Sequence, residues 1–95
     1  MQDFSAGAAW IKGEVMPVGQ ASIGVLDWGL THSDITYDVV PVWQGAFFRL
    51  GDYIARFRDS VTALRLDIAQ QDAEIAAILH QIVAASGLQN AYVAM

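Results

Sequence analysis

Residues 32–50 read HSDITYDVVPVWQGAFFRL and carry the strongest structural signal in the chain. Thr36–Trp43 is rich in β-branched and aromatic residues, and a second such run, Ala46–Leu50, follows Gln44-Gly45. This order predicts a β-hairpin that turns at Gln44-Gly45. Pro41 has no N–H to donate to a neighbouring strand, so it is expected at a sheet edge or a bulge.

Two further extended segments are predicted on the N-terminal side of this hairpin. Between Ala9 and Val18, two apolar stretches flank Lys12-Gly13-Glu14, where Gly13 can take the positive φ of a tight turn. This pattern predicts another hairpin. Ala21–Leu30 has no clean period and is interpreted as a short strand that leads into a loop.

Two helices and a final strand are predicted on the C-terminal side. The first helix is expected to begin near Asp52, because apolar residues recur after it at helical spacing: Ile54, Phe57, Val61 and Leu64. The second, Asp72–Ser86, is followed by Gly87 as a C-terminal cap and has one apolar stripe: Ile75, Ile78, Leu79, Ile82 and Val83. Asn90–Met95 has strand composition. Hairpins followed by helices predict an α+β domain with antiparallel pairing.

Composition and charge argue against several classes of protein. The 95 residues match the usual size of one domain, and a hydrophobic content of 55% can fill a single core. The net charge of -5, with only five cationic side chains, argues against a nucleic-acid partner. No cysteine is present to form a disulfide or a thiolate metal site. Without a signal peptide or an apolar run near the roughly 18 residues of a membrane span, a soluble cytoplasmic protein is expected.

The segment His32–Asp38 is the first candidate for a functional site, because it concentrates a histidine, hydroxyls, a tyrosine and acids before an apolar strand. It is either a pocket rim or a capped loop whose Tyr37 packs in the core with its hydroxyl outward, and composition alone favours the loop. Asp34 and Asp38 flank a strand start, where most carboxylates are solvated or cap a turn. None of the common motifs HExxH, GxSxG, P-loop or dinucleotide fingerprint occurs in the sequence.

Arg56 is the second candidate. It is either an exposed helix arginine paired with Asp52 at i, i+4, or a planar fork presented to a phosphate or carboxylate. His80 lies beside the apolar stripe of the second helix and is predicted to be a histidine at the surface or its boundary.

A series of motifs runs in order along nearly the whole chain. It comprises Gly13–Ile23, Leu26-Asp27-Trp28-Gly29, His32–Val39, Trp43–Leu50, Ile54-Ala55-Arg56-Phe57, Ser60 and Leu64-Arg65-Leu66. The series resembles the N-terminal lobe of the fold-type IV, or class IV, aminotransferases that use pyridoxal 5'-phosphate (PLP). This family includes branched-chain and D-amino-acid aminotransferases, (R)-selective amine transaminases and aminodeoxychorismate lyases. The blocks HSDITYDV and VWQGAFFRL are most similar to the (R)-selective amine transaminase branch.

The resemblance implies roles for particular residues. Arg56 matches the family position that contacts the PLP phosphate, with Asp52 as a secondary partner. His32 and Tyr37 match positions that line the substrate pocket, and Val39 matches the position that shapes its small side. In this family, bond breaking belongs to a lysine that binds PLP covalently and shuttles the proton.

That lysine has no counterpart in this chain. The only lysine is Lys12, in the predicted first turn, where the family keeps a solvent-facing residue. The resemblance implies that residues 1–95 form a single N-terminal lobe with no catalytic residue and no metal site. The lysine-bearing C-terminal lobe is then missing, so the chain alone is expected to be inactive.

The intact enzyme implied by the resemblance is a PLP-dependent homodimer. It moves an amino group between an amine or amino acid and a keto acid acceptor. An aminodeoxychorismate lyase, in which PLP assists elimination of pyruvate on the same scaffold, remains an alternative. A non-catalytic interaction domain derived from the lobe is the second alternative.

Overall fold

The structure is a computed structural model that describes residues 2–95, and it begins with a two-stranded antiparallel sheet. In this sheet β1 (Ala8–Ile11) pairs with β2 (Glu14–Pro17). Lys12 and Gly13 form the turn with φ of 52° and 88°, as a two-residue turn that matches the strand twist requires. The predicted first hairpin is confirmed, and Lys12 is exposed at its turn.

The short strand predicted within Ala21–Leu30 is wrong. The segment runs without strand pairing into a short helix, α1 (Trp28–His32). The Asp27 carboxylate caps α1 by accepting a hydrogen bond from the Gly29 N–H at 2.9 Å, and Ser33 ends it with φ of 52°. A local side-chain cap decides the conformation here, because no neighbouring strand offers this backbone an alternative partner.

The second predicted hairpin is confirmed as β3 (Val39–Trp43) and β4 (Ala46–Phe47). Gln44 and Gly45 form its two-residue turn with φ of 51° and 81°. Both strands are shorter than the sequence predicts. β4 ends early because Arg49 takes φ of 51° and turns the chain into the next helix.

A three-stranded antiparallel sheet has the order β4-β3-β5, in which β5 is Ala91–Ala94. This strand confirms the prediction for Asn90–Met95. Because β3 lies in the middle and its register with β5 is continuous, the prediction that Pro41 lies at an edge or a bulge is wrong. Pro41 lies opposite Tyr92 of β5.

The hydrogen-bond pattern explains how a central strand tolerates Pro41. Asp38 and Met95 exchange two backbone hydrogen bonds of 2.9 Å each, and such pairs alternate along an antiparallel ladder. The donor that Pro41 lacks would point away from β5, toward β4. Since β4 already ends at Phe47, the proline costs the ladder a single bond at its end.

Two long helices complete the fold. They are α2 (Leu50–Ala63), which begins slightly before the predicted Asp52, and α3 (Asp72–Ser86), which has the predicted bounds. Gln71 and Glu74 form a reciprocal capping box at the start of α3. Gly87 ends it with φ of 69°, which confirms the predicted glycine cap.

The core forms where the three-stranded sheet packs against α2 and α3. Its buried apolar side chains come from all three: Val40, Val42, Ile54, Phe57, Val61, Ile75, Leu79, Ile82 and Val93. Trp10 and Val15 of the first hairpin pack against this cluster. The fold class is α+β with antiparallel sheets, as predicted, and α1 is an additional short helix. Among the described residues, no helix is long and apolar enough to cross a membrane.

Candidate functional site

The site is built around an ion pair between Asp38 and Arg56. Asp38 immediately precedes β3, and Arg56 lies on α2. The Arg56 Nε donates to Asp38 Oδ2 at 2.7 Å, and its Nη2 donates to Oδ1 at 2.6 Å. Two parallel hydrogen bonds between planar groups fix both the position and the orientation of the guanidinium.

Asp38 is the buried partner of this pair, with a side chain that is 9% exposed, whereas that of Arg56 is 66% exposed. Its Oδ1 also accepts a hydrogen bond from the Val39 N–H at 2.9 Å. The hydrogen bond from Arg56 holds the pKa of Asp38 below its usual value, although burial works against this shift. The same bond raises the pKa of Arg56. Both partners are therefore charged at neutral pH.

Arg56 keeps hydrogen-bonding capacity on its exposed side. A guanidinium carries five N–H donors, and Asp38 takes one on Nε and one on Nη2, which leaves both Nη1 donors and the outer Nη2 donor. Its Cζ lies 5.0 Å from the centroid of the Tyr53 ring. An open cleft of about 410 Å³ adjoins the guanidinium, lined by Phe48, Arg49, Asp52, Tyr53 and Arg56. The remaining donors suit a phosphate or carboxylate.

The pairing predicted between Asp52 and Arg56 is wrong. Asp52 instead accepts from Arg49 at 2.7 Å, and both side chains of that pair are exposed. Arg58 is held by Asp72 at 3.0 Å and by the Gln70 carbonyl oxygen at 2.8 Å. Arg56 turns to Asp38 because that carboxylate is buried beside it and presents two oxygens to the guanidinium.

His32 lies exposed at the C-terminal end of α1. Its ring stacks on Trp28 with the centroids 3.6 Å apart and the planes 13° from parallel. Its Nδ1 lies 2.8 Å from the Thr31 hydroxyl oxygen. Trp28 in turn donates from its indole N–H to Asp34 at 3.1 Å. The indole ring on which His32 stacks is therefore held by a hydrogen bond.

Tyr37 and Val39 lie on either side of Asp38. Tyr37 is 71% exposed, so the prediction of a loop in which the Tyr37 ring packs in the core is wrong. Side chains alternate along extended chain, which places Asp38 on the face of Val40 and turns Tyr37 to the opposite side. Val39 is half-buried. Its N–H donates to the Asp38 carboxylate, which also accepts from Arg56.

The structure therefore connects Arg56 and Val39 through Asp38, with Tyr37 next in sequence. No hydrogen bond or ring contact within residues 2–95 joins His32 to these three. The prediction that Asp38 is solvated or caps a turn is wrong, and its role as the arginine partner was missed. A signal was present, because Asp38, Val40 and Val42 share one face at a period of two, and an acid on a buried face needs a cation.

Other candidate features lie away from this site. His80 is exposed and contacts the Phe47 ring edge-on at 4.8 Å, which confirms the predicted surface position. A larger, mostly apolar cavity of about 550 Å³ lies between β1, α3 and β5, lined by residues such as Trp10 and Ile78. Across residues 2–95, no group of three or more His, Cys, Asp and Glu side chains could hold a metal ion.

The chain is similar to known aminotransferases. No protein-family model matches the chain. The chain is 25% identical over 84 residues to a putative branched-chain-amino-acid aminotransferase of Methanocaldococcus jannaschii, covering 88% of this chain and 29% of that protein. It is 27% identical over 72 residues to the D-alanine aminotransferase of Bacillus licheniformis, covering 76% of this chain and 25% of that protein.

Solved structures share the fold. The Escherichia coli branched-chain amino acid aminotransferase matches with a TM-score of 0.84 at 18% identity, covering 99% of this chain and 31% of that chain. The chain has the fold of the N-terminal lobe of a fold-type IV aminotransferase. The T.th. branched-chain amino acid aminotransferase complexed with N-(5'-phosphopyridoxyl)-L-glutamate matches this lobe with a TM-score of 0.82 at 25% identity, over 93% of the lobe and 31% of that chain.

The lobe spans less than a third of each of these relatives. Its sequence and structural neighbours are branched-chain and D-amino-acid aminotransferases, matched over their N-terminal portion. The family resemblance of the motif series is confirmed at this level.

Proposed function

We propose that this lobe belongs to a PLP-dependent transaminase that moves an amino group between an amine or amino acid and a keto acceptor. The observation that carries the proposal is Arg56, a guanidinium fixed on one edge by Asp38 and open on the other to an exposed cleft. The aminotransferase relatives support the reaction type. The donor-side preference that we propose, for an amine or a D-configured amino compound, rests on the motif blocks of residues 32–50.

The residues present fit one part of PLP. The remaining donors of Arg56 match the charge and geometry of its phosphate. PLP, when bound, supplies the electron sink that makes amino-group transfer possible. The lobe itself offers only Lys12, which lies exposed in the first hairpin turn. We propose that a lysine outside these residues performs the proton transfers, and that this chain alone does not transaminate.

His32, Tyr37 and Val39 are proposed to shape the substrate pocket. The exposed ring of Tyr37 and the stacked ring of His32 offer apolar surface with a polar edge. Val39 is tied to the carboxylate that holds Arg56, so its side chain has a fixed position relative to the phosphate contact. Their roles are shape and hydrogen bonding.

A cytoplasmic homodimer is proposed for the intact enzyme. Several large apolar side chains of the lobe are exposed, among them Val25, Leu26, Trp28, Trp43 and Tyr92. Val25, Leu26 and Trp28 lie within four consecutive residues, and adjacent exposed apolar side chains are typical of a surface that a further domain or subunit covers.

Replacement of Arg56 tests the proposal in the intact enzyme. Arg56→Ala is expected to weaken PLP binding by more than about tenfold, because it removes a charged hydrogen-bonding partner of the phosphate. Arg58→Ala is the matched control from the same helix, since its guanidinium is held by Asp72 and Gln70. The measurement is PLP affinity from the cofactor absorbance during equilibrium dialysis. Equal losses in the two variants would contradict the assignment.

A further inference from the structure

Arg56 lies on an exposed part of α2, where a long arginine side chain ordinarily samples many rotamers. Asp38 removes much of that freedom, because it holds Nε and Nη2 at once. The guanidinium plane is then fixed relative to the sheet. Its Nη1 side and the outer Nη2 donor are directed away from the carboxylate.

Asp38 is itself held by backbone and side-chain hydrogen bonds and is buried, unlike an exposed partner. Its backbone is paired on both N–H and C=O with Met95 at 2.9 Å, and its carboxylate accepts a further bond from Val39. Arg49 and Asp52, at the start of α2, provide the contrast, since both side chains of that pair are about two-thirds exposed, at 67% and 65%. Exposed pairs of this kind hold their geometry weakly.

We propose that Asp38 is a positioning residue, which holds the Arg56 guanidinium in the orientation that binds a phosphate group. The inference rests on the proposed function, in which Arg56 contacts the PLP phosphate. Asp38 does not touch the anion. It acts by removing side-chain entropy from Arg56 before the anion arrives.

Charge and positioning predict opposite results when Asp38 is neutralised. Asp38→Asn removes a negative charge beside Arg56, so Coulomb attraction alone would strengthen anion binding. Loss of positioning would weaken it, because the guanidinium must then be ordered by the anion. The sign of the change therefore separates the two accounts.

The test uses the 95-residue chain, labelled with ¹⁵N, and inorganic phosphate as the probe. The Arg56 Nε–Hε signal is followed by NMR during a phosphate titration. We expect Asp38→Asn to weaken phosphate binding by about threefold to tenfold. Asp38→Glu, which keeps the charge and both oxygens, is expected to restore part of the affinity. Asp52→Asn removes a charge of the same sign from a residue that lines the cleft beside Arg56 but bonds to Arg49, and it should leave the affinity equal or slightly higher.

An affinity of Asp38→Asn that equals or exceeds that of the unchanged chain would overturn the inference. If this variant does not fold by circular dichroism, the unchanged chain still provides a test. Two-point pairing should slow rotation about the Cζ–Nε bond of Arg56 and separate its Nη signals, while those of Arg49 stay averaged. Averaged signals for both arginines would overturn the inference. Absence of any phosphate-dependent shift at Arg56, with its Nη signals separated, would instead overturn the proposed phosphate contact.

Discussion

Asp38 is a carboxylate between an apolar face and a guanidinium. It shares its side of β3 with Val40 and Val42, which form part of the core. In the unfolded chain the same carboxyl group has neither burial nor a fixed partner, so its pKa returns to its ordinary value near 3.8. The folded pKa lies below this value, mainly because of the Arg56 hydrogen bond. Ionised Asp38 therefore stabilises the fold more than protonated Asp38 does.

The sign of this linkage gives a prediction for acid stability. The contribution of Asp38 is fully present above its unfolded pKa of about 3.8 and is lost as the pH falls through its lower folded pKa. Asp38→Asn lacks this titration, so its free energy of unfolding should fall less steeply than that of the unchanged chain below about pH 4. Urea unfolding at a series of pH values measures the slope. Parallel slopes for Asp38→Asn and the unchanged chain would rule out the linkage.

At the scale of single elements, the helix ends are set by short-range chemistry that the sequence displays. The capping box of Gln71 and Glu74 and the glycine at Gly87 give α3 the bounds predicted from its sequence. α2 lacks a side-chain cap, and Arg49 precedes it with φ of 51°. Its start is set by the end of β4, so the sequence prediction of this boundary was less accurate.

One substitution made at two glycines should have opposite effects on stability. Gly87→Ala puts a Cβ on a residue with φ of 69°, and no atom lies within 4 Å of it, so the cost of about 1 kcal/mol is conformational. Gly51→Ala, also without a neighbour within 4 Å but inside α2, should stabilise by about 0.5 kcal/mol. Free energies of urea unfolding at neutral pH provide the comparison. A change of the same sign at both positions would show that backbone conformation is not the cause.

At the scale of the whole molecule, the order β4-β3-β5 leaves β5 paired on one side only. The strand Ala91–Ala94 contains no charge and no proline, the features that usually protect an edge. Tyr92 is 83% exposed, whereas Val93 is 6% exposed and belongs to the core. A charge at the buried Val93 would disturb folding itself. Association is therefore tested at the exposed Tyr92.

The 95-residue chain is predicted to self-associate through this edge, by pairing of β5 between chains or by exchange of the strand. Light scattering over a concentration series should show a rising average mass. Tyr92→Lys is expected to reduce this rise, because a charge on an edge strand disfavours pairing. Tyr37→Lys changes another tyrosine, 71% exposed and outside any strand, and should have less effect. An equal response in the two variants would exclude the β5 edge as the contact surface.

The sequence by itself determined the local elements of this protein. Both hairpins follow from a glycine-containing turn between β-prone runs, and α3 follows from a periodic stripe with a glycine cap at its C-terminal end. These signals lie within a few residues of one another, so the chain carries them without long-range contacts. The ordered motifs also pointed to the aminotransferase relatives.

Only the tertiary structure decided which elements meet and which charges pair. β5 joins β3 across the chain and makes Pro41 central, which the predicted edge position did not anticipate. Arg56 does not pair with Asp52, which lies one helical turn away, and instead binds Asp38 at the start of β3. The physical reason is burial. Packing of the sheet against the helices removes Asp38 from water, and a buried carboxylate without a cation would be far more costly than an exposed Asp52 without one.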